Sequence, residues 1–249
     1  MGLFDLAAAK EIEQLPALGT DVWIVVYSPD GTLLASGSQS GKIRVWSCVE
    51  HRLVRELDDH KDPVLGLYFR AGGRQMLSAD TKGKAIWWDV LTWQAGRTFV
   101  VEPARWIGRA VSPGGRLLAA ADTAGGMRWL NGETGELLAT TPGRADPQYA
   151  DSVAFSGDGS QVASVSMHGT VALWNPSSFQ LIDAFQGHMQ GAHGVAFSPD
   201  GHRLATGGGT DRDAVKLWDL STRRELMTLS GQPAYFIGVG KPCGRPNSR

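Results

Sequence analysis

The four residues Ser28-Pro29-Asp30-Gly31 return as Ser198-Pro199-Asp200-Gly201. Looser copies are Arg70-Ala71-Gly72-Gly73, Ser112-Pro113-Gly114-Gly115, Ser156-Gly157-Asp158-Gly159 and Lys241-Pro242-Cys243-Gly244. Their last glycines are separated by 42, 42, 44, 42 and 43 residues. A second marker keeps the same period: Phe4-Asp5, Trp46-Ser47, Trp88-Asp89, Leu130-Asn131, Trp174-Asn175 and Trp218-Asp219, with steps of 42, 42, 42, 44 and 44. Two independent markers on one period make the chain an array, in which each unit is one supersecondary building block.

Each unit reads as strand, turn, strand, turn. An apolar stretch such as Trp23–Tyr27 or His193–Phe197 precedes the glycine turn, and another such as Leu33–Ser38 or Arg203–Gly208 follows it. A polar turn then leads into the Trp-bearing stretch, for example Lys42–Ser47, and a more polar stretch such as Arg52–Leu57 closes the unit. These runs are short, β-branched or aromatic, and bounded by Gly, Pro, Asn, Asp and Ser. Four antiparallel strands in about 42 residues form one blade of a β-propeller. The predicted fold is therefore all-β: five complete repeats plus a split or incomplete sixth. The units run over 1–16 (partial), about 17–58, 59–100, 101–144, 145–186 and 187–230, and 231–249 (incomplete). The innermost strand is expected to be buried on both faces and the outermost to have one wet side. Nine Trp fit this plan: Trp46, Trp88, Trp174 and Trp218 recur at one place and pack blade on blade, with Phe4 and Leu130 in that place elsewhere.

The Trp-Asp-like dipeptides, together with a Gly-His pair about ten residues before the Ser-Pro-Asp-Gly turn, resemble the WD-repeat (WD40) family, and bacterial WD-repeat arrays in particular. Gly187-His188 matches fully, and Asp59-His60 keeps the His. Ala17-Leu18, Val101-Glu102 and Gly231-Gln232 have lost it. The resemblance implies a buried network of that His, a Ser or Thr of the second strand, an Asp of the next turn and the Trp. Such a network has to be fully satisfied to be stabilising. The fifth unit offers His188, Thr206, Asp211 or Asp213, and Trp218. The second offers His60, Ser78 and Trp88, with Lys82 where the Asp is expected.

Little else points to chemistry. The stretch Gly37–Lys42 lacks the spacing, the hydroxyl residue and the following helix of a phosphate-binding loop. His188, His193 and His202 lie close in sequence, but a metal needs three or four converging ligands, so no metal and no cofactor is expected. No nucleophile stands beside a base and an orienting group, so no catalytic residue is assigned and the chain is read as a non-enzyme. A net charge of −1 gives no pull towards nucleic acid or anionic membrane. No apolar run approaches the roughly 20 residues that span a bilayer. Two cysteines and the lack of a signal-like start lead to the expectation of a cytoplasmic setting.

What a propeller offers is loop-ringed faces. Family geometry puts the loops into the first strand and between second and third strands on one end, the top. Alternation along each first strand then picks out a ring: Trp23, Leu65, Ile107, Asp151 and His193 inside, with Asp21, Arg105, Tyr149 and Tyr235 outside and Thr81 and Met167 in neighbouring turns. Trp, Tyr and Arg are the residues that favour interface hot spots. The resemblance implies a non-catalytic scaffold for a protein or peptide partner, as part of a larger signalling protein. The alternative is an enzyme-associated or small-ligand-binding propeller, because a related repeat class with the same turns accompanies peptidases. The ends set a further expectation. Met1–Glu11 reads as a third strand and the start of a fourth, and Ala234–Gly240 as a first strand, with no second strand between them. First and third strands cannot pair across an empty slot, since paired strands lie about 4.8 Å apart. A piece of a longer propeller is expected over a strained six-bladed ring.

Overall fold

The computed structural model describes residues 2–5, 10–14, 22–70, 72–101, 108–121, 125–142, 150–210, 212 and 214–231. A two-stranded hairpin of β1 (Gly2–Asp5) and β2 (Lys10–Gln14) comes first. Five four-stranded antiparallel sheets follow, each meandering in chain order. Blade 1 is β3 (Val22–Tyr27), β4 (Leu33–Ser38), β5 (Ile43–Ser47) and β6 (Arg52–Leu57). Blade 2 is β7 (Val64–Phe69), β8 (Gln75–Asp80), β9 (Lys84–Asp89) and β10 (Ala95–Val100). Blade 3 is β11 (Arg109–Val111), β12 (Leu117–Ala121), β13 (Met127–Asn131) and β14 (Leu137–Thr141). Blade 4 is β15 (Ala150–Phe155), β16 (Val162–Ser166), β17 (Thr170–Asn175) and β18 (Gln180–Gln186). Blade 5 is β19 (Ala192–Phe197), β20 (Arg203–Gly208), β21 (Val215–Asp219) and β22 (Arg224–Leu229). The described residues contain no helix.

The innermost strands of consecutive blades lie side by side, β3 against β7, β7 against β11, β11 against β15 and β15 against β19. That neighbouring is what makes the array a propeller. The glycine turns between first and second strands are tied by the side chains that recur in them. Asp30 accepts from Ser28 Oγ and Thr32 N, and Asp158 and Asp200 repeat the pattern. The turn glycines Gly31, Gly73, Gly115, Gly159 and Gly201 all have φ between 67° and 74°, the left-handed region that glycine enters without strain.

The core lies between blades. Trp88 of blade 2 packs with Ala35, Ile43, Val45 and Leu57 of blade 1. Trp174 packs with Ala119, Met127 and Trp129 of blade 3, and Trp218 with Ala163, Val165, Val171 and Leu173 of blade 4. Leu130 replaces the Trp in blade 3 and packs with Leu77, Ala85 and Trp87 of blade 2. Trp46 lies with Leu34 and Cys48, and of Phe4 only the backbone is described.

One expectation is corrected. The deepest burial falls on the second and third strands, with β4, β8 and β16 almost wholly buried, and not on the innermost strand. In β3, Val22, Trp23 and Val25 are 40%, 39% and 48% exposed. The second and third strands have a strand on either side. The exposure is confined to β3 of blade 1, since β7, β15 and β19 have the same free edge and contain no exposed residue. The outermost strands are wet, as β22 shows along its whole length.

Candidate functional site

Four innermost strands carry a β-bulge at one and the same register. In β3, Val22 faces Ser38 and Ile24 faces Gly37, leaving Trp23 as the extra residue. In β7 the extra residue is Leu65, in β15 Asp151 and in β19 His193. A bulge bends its strand and re-aims the inserted side chain, and bulges recur beside functional sites. The four inner-ring residues described thus share a backbone irregularity that the sequence does not display. Gly66, after the bulge in β7, occurs where a neighbour is close: a Cβ there would lie 2.9 Å from the Tyr68 ring.

Two of these residues meet. His193 Nδ1 lies 2.6 Å from Asp151 Oδ2 across the boundary between blades 5 and 4, with side chains 21% and 13% exposed. Met167, 51% exposed, stands close by: Gly191 is the position at which a Cβ would touch both the Met167 carbonyl and the His193 ring at 3.0 Å. Thr81 N donates to Pro63 O at 2.9 Å, and Gly209 N to Gly191 O at 3.3 Å. The second-to-third turns and the loops into the first strands therefore share one end of the blades. Asp21, Arg105, Ile107, Tyr149 and Tyr235 lie outside the described residues.

The predicted histidine networks are placed as follows. His60 is 1% exposed; Nε2 lies 2.7 Å from Ser78 Oγ and Nδ1 2.7 Å from Asp80 Oδ2, while Trp88 Nε1 donates to Ser78 Oγ at 2.8 Å. This corrects the expectation that Lys82 leaves blade 2 without a carboxylate. Asp80, two residues after Ser78, points the same way as Ser78 and supplies it. Asp80 also accepts from the backbone N of Lys82 and of Lys84. The Asp80 carboxylate can only accept, so Nδ1–H donates to it, and with the ring neutral Nε2 accepts from Ser78 Oγ. Burial holds the His60 pKa below its ordinary value. In blade 5, His188 Nε2 lies 2.7 Å from Thr206 Oγ1, which accepts from Trp218 Nε1 at 2.9 Å. Asp211 and Asp213 lie outside the described residues. In blade 4, Trp174 Nε1 donates to Ser164 Oγ at 2.9 Å. In blade 1, Trp46 Nε1 has no hydrogen-bond partner among the described residues.

Sequence reasoning also missed a buried polar link between blades 2 and 3. Tyr68 Oη donates to the Arg109 carbonyl at 2.6 Å, and Arg109 Nη1 donates to the Asp80 carbonyl at 3.3 Å. Burial pushes the Tyr68 hydroxyl up to about 12. No group of three or more His, Cys, Asp or Glu is placed to hold a metal ion among the described residues. No described helix is long and apolar enough to cross a membrane.

A family model described as "WD domain, G-beta repeat" matches residues 12–47, 135–175 and 179–219. The chain carries WD40 repeats. Among the relatives of this WD40-repeat chain, "Periodic tryptophan protein 2" of Arabidopsis thaliana is 28% identical over 215 residues, covering 85% of this chain and 23% of the relative. "Actin-interacting protein 1" of Drosophila melanogaster is 26% identical over 219 residues, 82% of this chain and 34% of the relative. "WD repeat-containing protein SL1-17" of Schistosoma mansoni is 24% identical over 198 residues, 78% of this chain and 64% of the relative. The aligned WD40 segment thus spans less than two thirds of each of these three relatives.

Proposed function

We propose that this propeller is a non-catalytic scaffold that binds a protein or peptide partner through the ring of bulged residues at the top of its channel, within a larger signalling assembly. The observation that carries the reading is the shared bulge register. Trp23, Leu65, Asp151 and His193 occupy one inserted position in four blades, and the set combines an aromatic, an aliphatic and a hydrogen-bonded His–Asp pair. A partner that buries the half-exposed Trp23 ring gains the kind of aromatic anchor on which binding energy concentrates. One relative is an actin-interacting protein by name, which supports a protein partner as the class.

The same reading extends to β1 and β2 as third and fourth strands of a sixth blade. Their pairing shifts register between Leu3 and Phe4, as β5–β6, β17–β18 and β21–β22 shift just before Trp46, Trp174 and Trp218.

The test is affinity capture with the intact chain, Trp23→Ala, Arg105→Glu and, as a control in the turn between β9 and β10, Leu91→Ala. Loss of the captured partner with the first two and retention with the third is expected. Equal capture by all four proteins refutes the ring.

A further inference from the structure

The turns between first and second strands hold a carboxylate in three blades. In blade 1, Ser28 Oγ donates to Asp30 Oδ1 at 2.6 Å and Thr32 N donates to the same oxygen at 3.0 Å. In blade 4, Ser156 Oγ and Ser160 N donate to Asp158 Oδ1 at 2.6 and 3.0 Å. In blade 5, Ser198 Oγ and His202 N do the same for Asp200 Oδ1. The arrangement favours negative charge. The Ser156 hydroxyl, with the Ser160 N–H next in weight, draws the Asp158 carboxyl down to about 2.

Blade 3 keeps the donors and lacks the carboxylate. Its turn is Ser112-Pro113-Gly114-Gly115, followed by Arg116. The backbone has the same form. Gly115 N donates to Ser112 O at 2.7 Å, as Gly31, Gly159 and Gly201 donate to their serine carbonyls at 2.8, 2.9 and 2.9 Å. Leu117 N donates to Ser112 Oγ at 3.0 Å, as Leu33 N does to Ser28 Oγ at 2.9 Å. Gly114 stands where blade 1 has Asp30, and a Cβ there would meet nothing within 4 Å. The Ser112 hydroxyl and the Arg116 N–H therefore flank a place that no side chain of the turn fills.

The surroundings are cationic. Where blades 1, 4 and 5 have Thr32, Ser160 and His202, blade 3 has Arg116 and blade 2 has Arg74. Both arginines are exposed and have no ion-pair partner among the described residues. The Arg70 guanidinium packs against Gly115 and pairs with Glu133 at 2.9 Å, so that carboxylate is already engaged. The Arg116 N–H and guanidinium can only donate, while the Ser112 hydroxyl can do either. What satisfies all three is an anionic acceptor.

We propose that the first turn of blade 3 is a docking site for an acidic segment of a protein partner. One Asp or Glu carboxylate of that segment takes the place that Asp30, Asp158 and Asp200 fill in their own turns, accepts from Ser112 Oγ and Arg116 N, and pairs with the Arg116 guanidinium. A carboxylate is the group chosen because three turns of the same form hold one there. The site lies at the end of the blades away from the bulged ring and does not depend on it.

The test is titration of the ¹⁵N-labelled intact chain, at constant ionic strength, with the peptide acetyl-Gly-Asp-Gly-amide, with its Asn counterpart and with inorganic phosphate. The Asp peptide is expected to shift the Arg116 backbone N–H resonance saturably. The Thr32, Ser160 and His202 resonances, whose N–H groups already have a carboxylate, stay in place. The Asn peptide binds at least about fivefold more weakly, because charge-assisted hydrogen bonds are roughly twice as strong as neutral ones. Gly114→Asp supplies the carboxylate from within the turn, and is expected to abolish the Arg116 shift and raise Tm. Arg116→Gln keeps the backbone donor, and is expected to weaken the Asp peptide with Tm unchanged. No saturable shift at Arg116 overturns the site. Equal binding of the Asn peptide overturns it, as does undiminished binding by Gly114→Asp or by Arg116→Gln. A lowered Tm in Gly114→Asp also counts against it, because the two donors then do not converge on one carboxylate. Tighter binding of phosphate than of the Asp peptide overturns the carboxylate assignment in favour of a phosphorylated partner.

Discussion

Asp151 and His193 occupy the same bulged position in adjacent blades and close the boundary between them with a 2.6 Å contact. The pair links the innermost strands β15 and β19 at the one place where each has a residue left over from its own ladder. With the Asp151 and His193 side chains 13% and 21% exposed, it lies in partial contact with water, so its worth is that of a screened, charge-assisted hydrogen bond.

A double-mutant cycle of Asp151→Ala and His193→Ala is therefore expected to give a coupling energy of about 1 kcal/mol. The matching drop in Tm is roughly 2–4 °C for a domain of this size. Urea denaturation of the four proteins measures it. Additive single effects would show that the two side chains do not communicate in solution.

Stability is expected to fall as pH drops below neutrality, and His60 accounts for a defined part of the fall. Its folded-state pKa is lowered by burial from 6.5. Above about 6.5 both folded and unfolded states carry the neutral ring, so the contribution is constant. Below it the unfolded chain takes a proton that the folded chain refuses, which removes at most about 1.4 kcal/mol per pH unit for one proton. His60→Gln, which removes the titrating group, is expected to flatten the wild-type profile between pH 7 and 5. Parallel profiles for the two proteins would mean that His60 is not held neutral.

The blades were legible because two markers share one period, and a strand meander of fixed length leaves few alternatives. The bulges were not, because a bulge is a property of register between two strands and leaves no mark on either alone. Trp23 and Asp151 could be placed on one ring by counting back along the strands, but nothing in the sequence says that each is an inserted residue. Asp80 was missed for a different reason. The carboxylate was sought in the turn, at Lys82, while alternation along β8 already placed Asp80 on the same face as Ser78. The overestimate of burial is confined to β3, since β7, β15 and β19 share its free edge and carry no exposed residue.

Blades 2 and 3 are joined by Trp87, whose Nε1 donates to the Gly132 carbonyl at 2.8 Å while the Arg70 guanidinium stacks 4.4 Å from the ring centroid. Trp87 is 5% exposed. Trp87→Phe keeps an aromatic ring and strands a buried carbonyl, so a loss of about 1–3 kcal/mol is expected. The m-value should be unchanged, since the fold still exposes the same surface on unfolding. A cost below about 0.5 kcal/mol would mean that water replaces the indole.

In blades 1, 2 and 4 a repeating glycine clamps the second-to-third turn to the segment that follows its blade. Gly41, Gly83 and Gly169 have φ of 86°, 84° and 85°. A Cβ on Gly41 would lie 2.5 Å from the His60 carbonyl oxygen, on Gly83 2.3 Å from that of Val101, and on Gly169 1.9 Å from that of His188. Gly201 has φ 73° but nothing within 4 Å of its would-be Cβ. Gly201→Ala therefore measures the backbone cost alone, about 1 kcal/mol for a left-handed L-residue. Gly169→Ala has to meet that cost and also push the His188 backbone away, which disturbs the His188–Thr206–Trp218 network on the same segment. It is expected to destabilise by at least 2 kcal/mol more than Gly201→Ala, with a new indole environment visible in the Trp218 fluorescence. Equal losses in the two variants would show that the turn and the His188 segment move apart freely, and that blades 4 and 5 are held by their apolar faces alone.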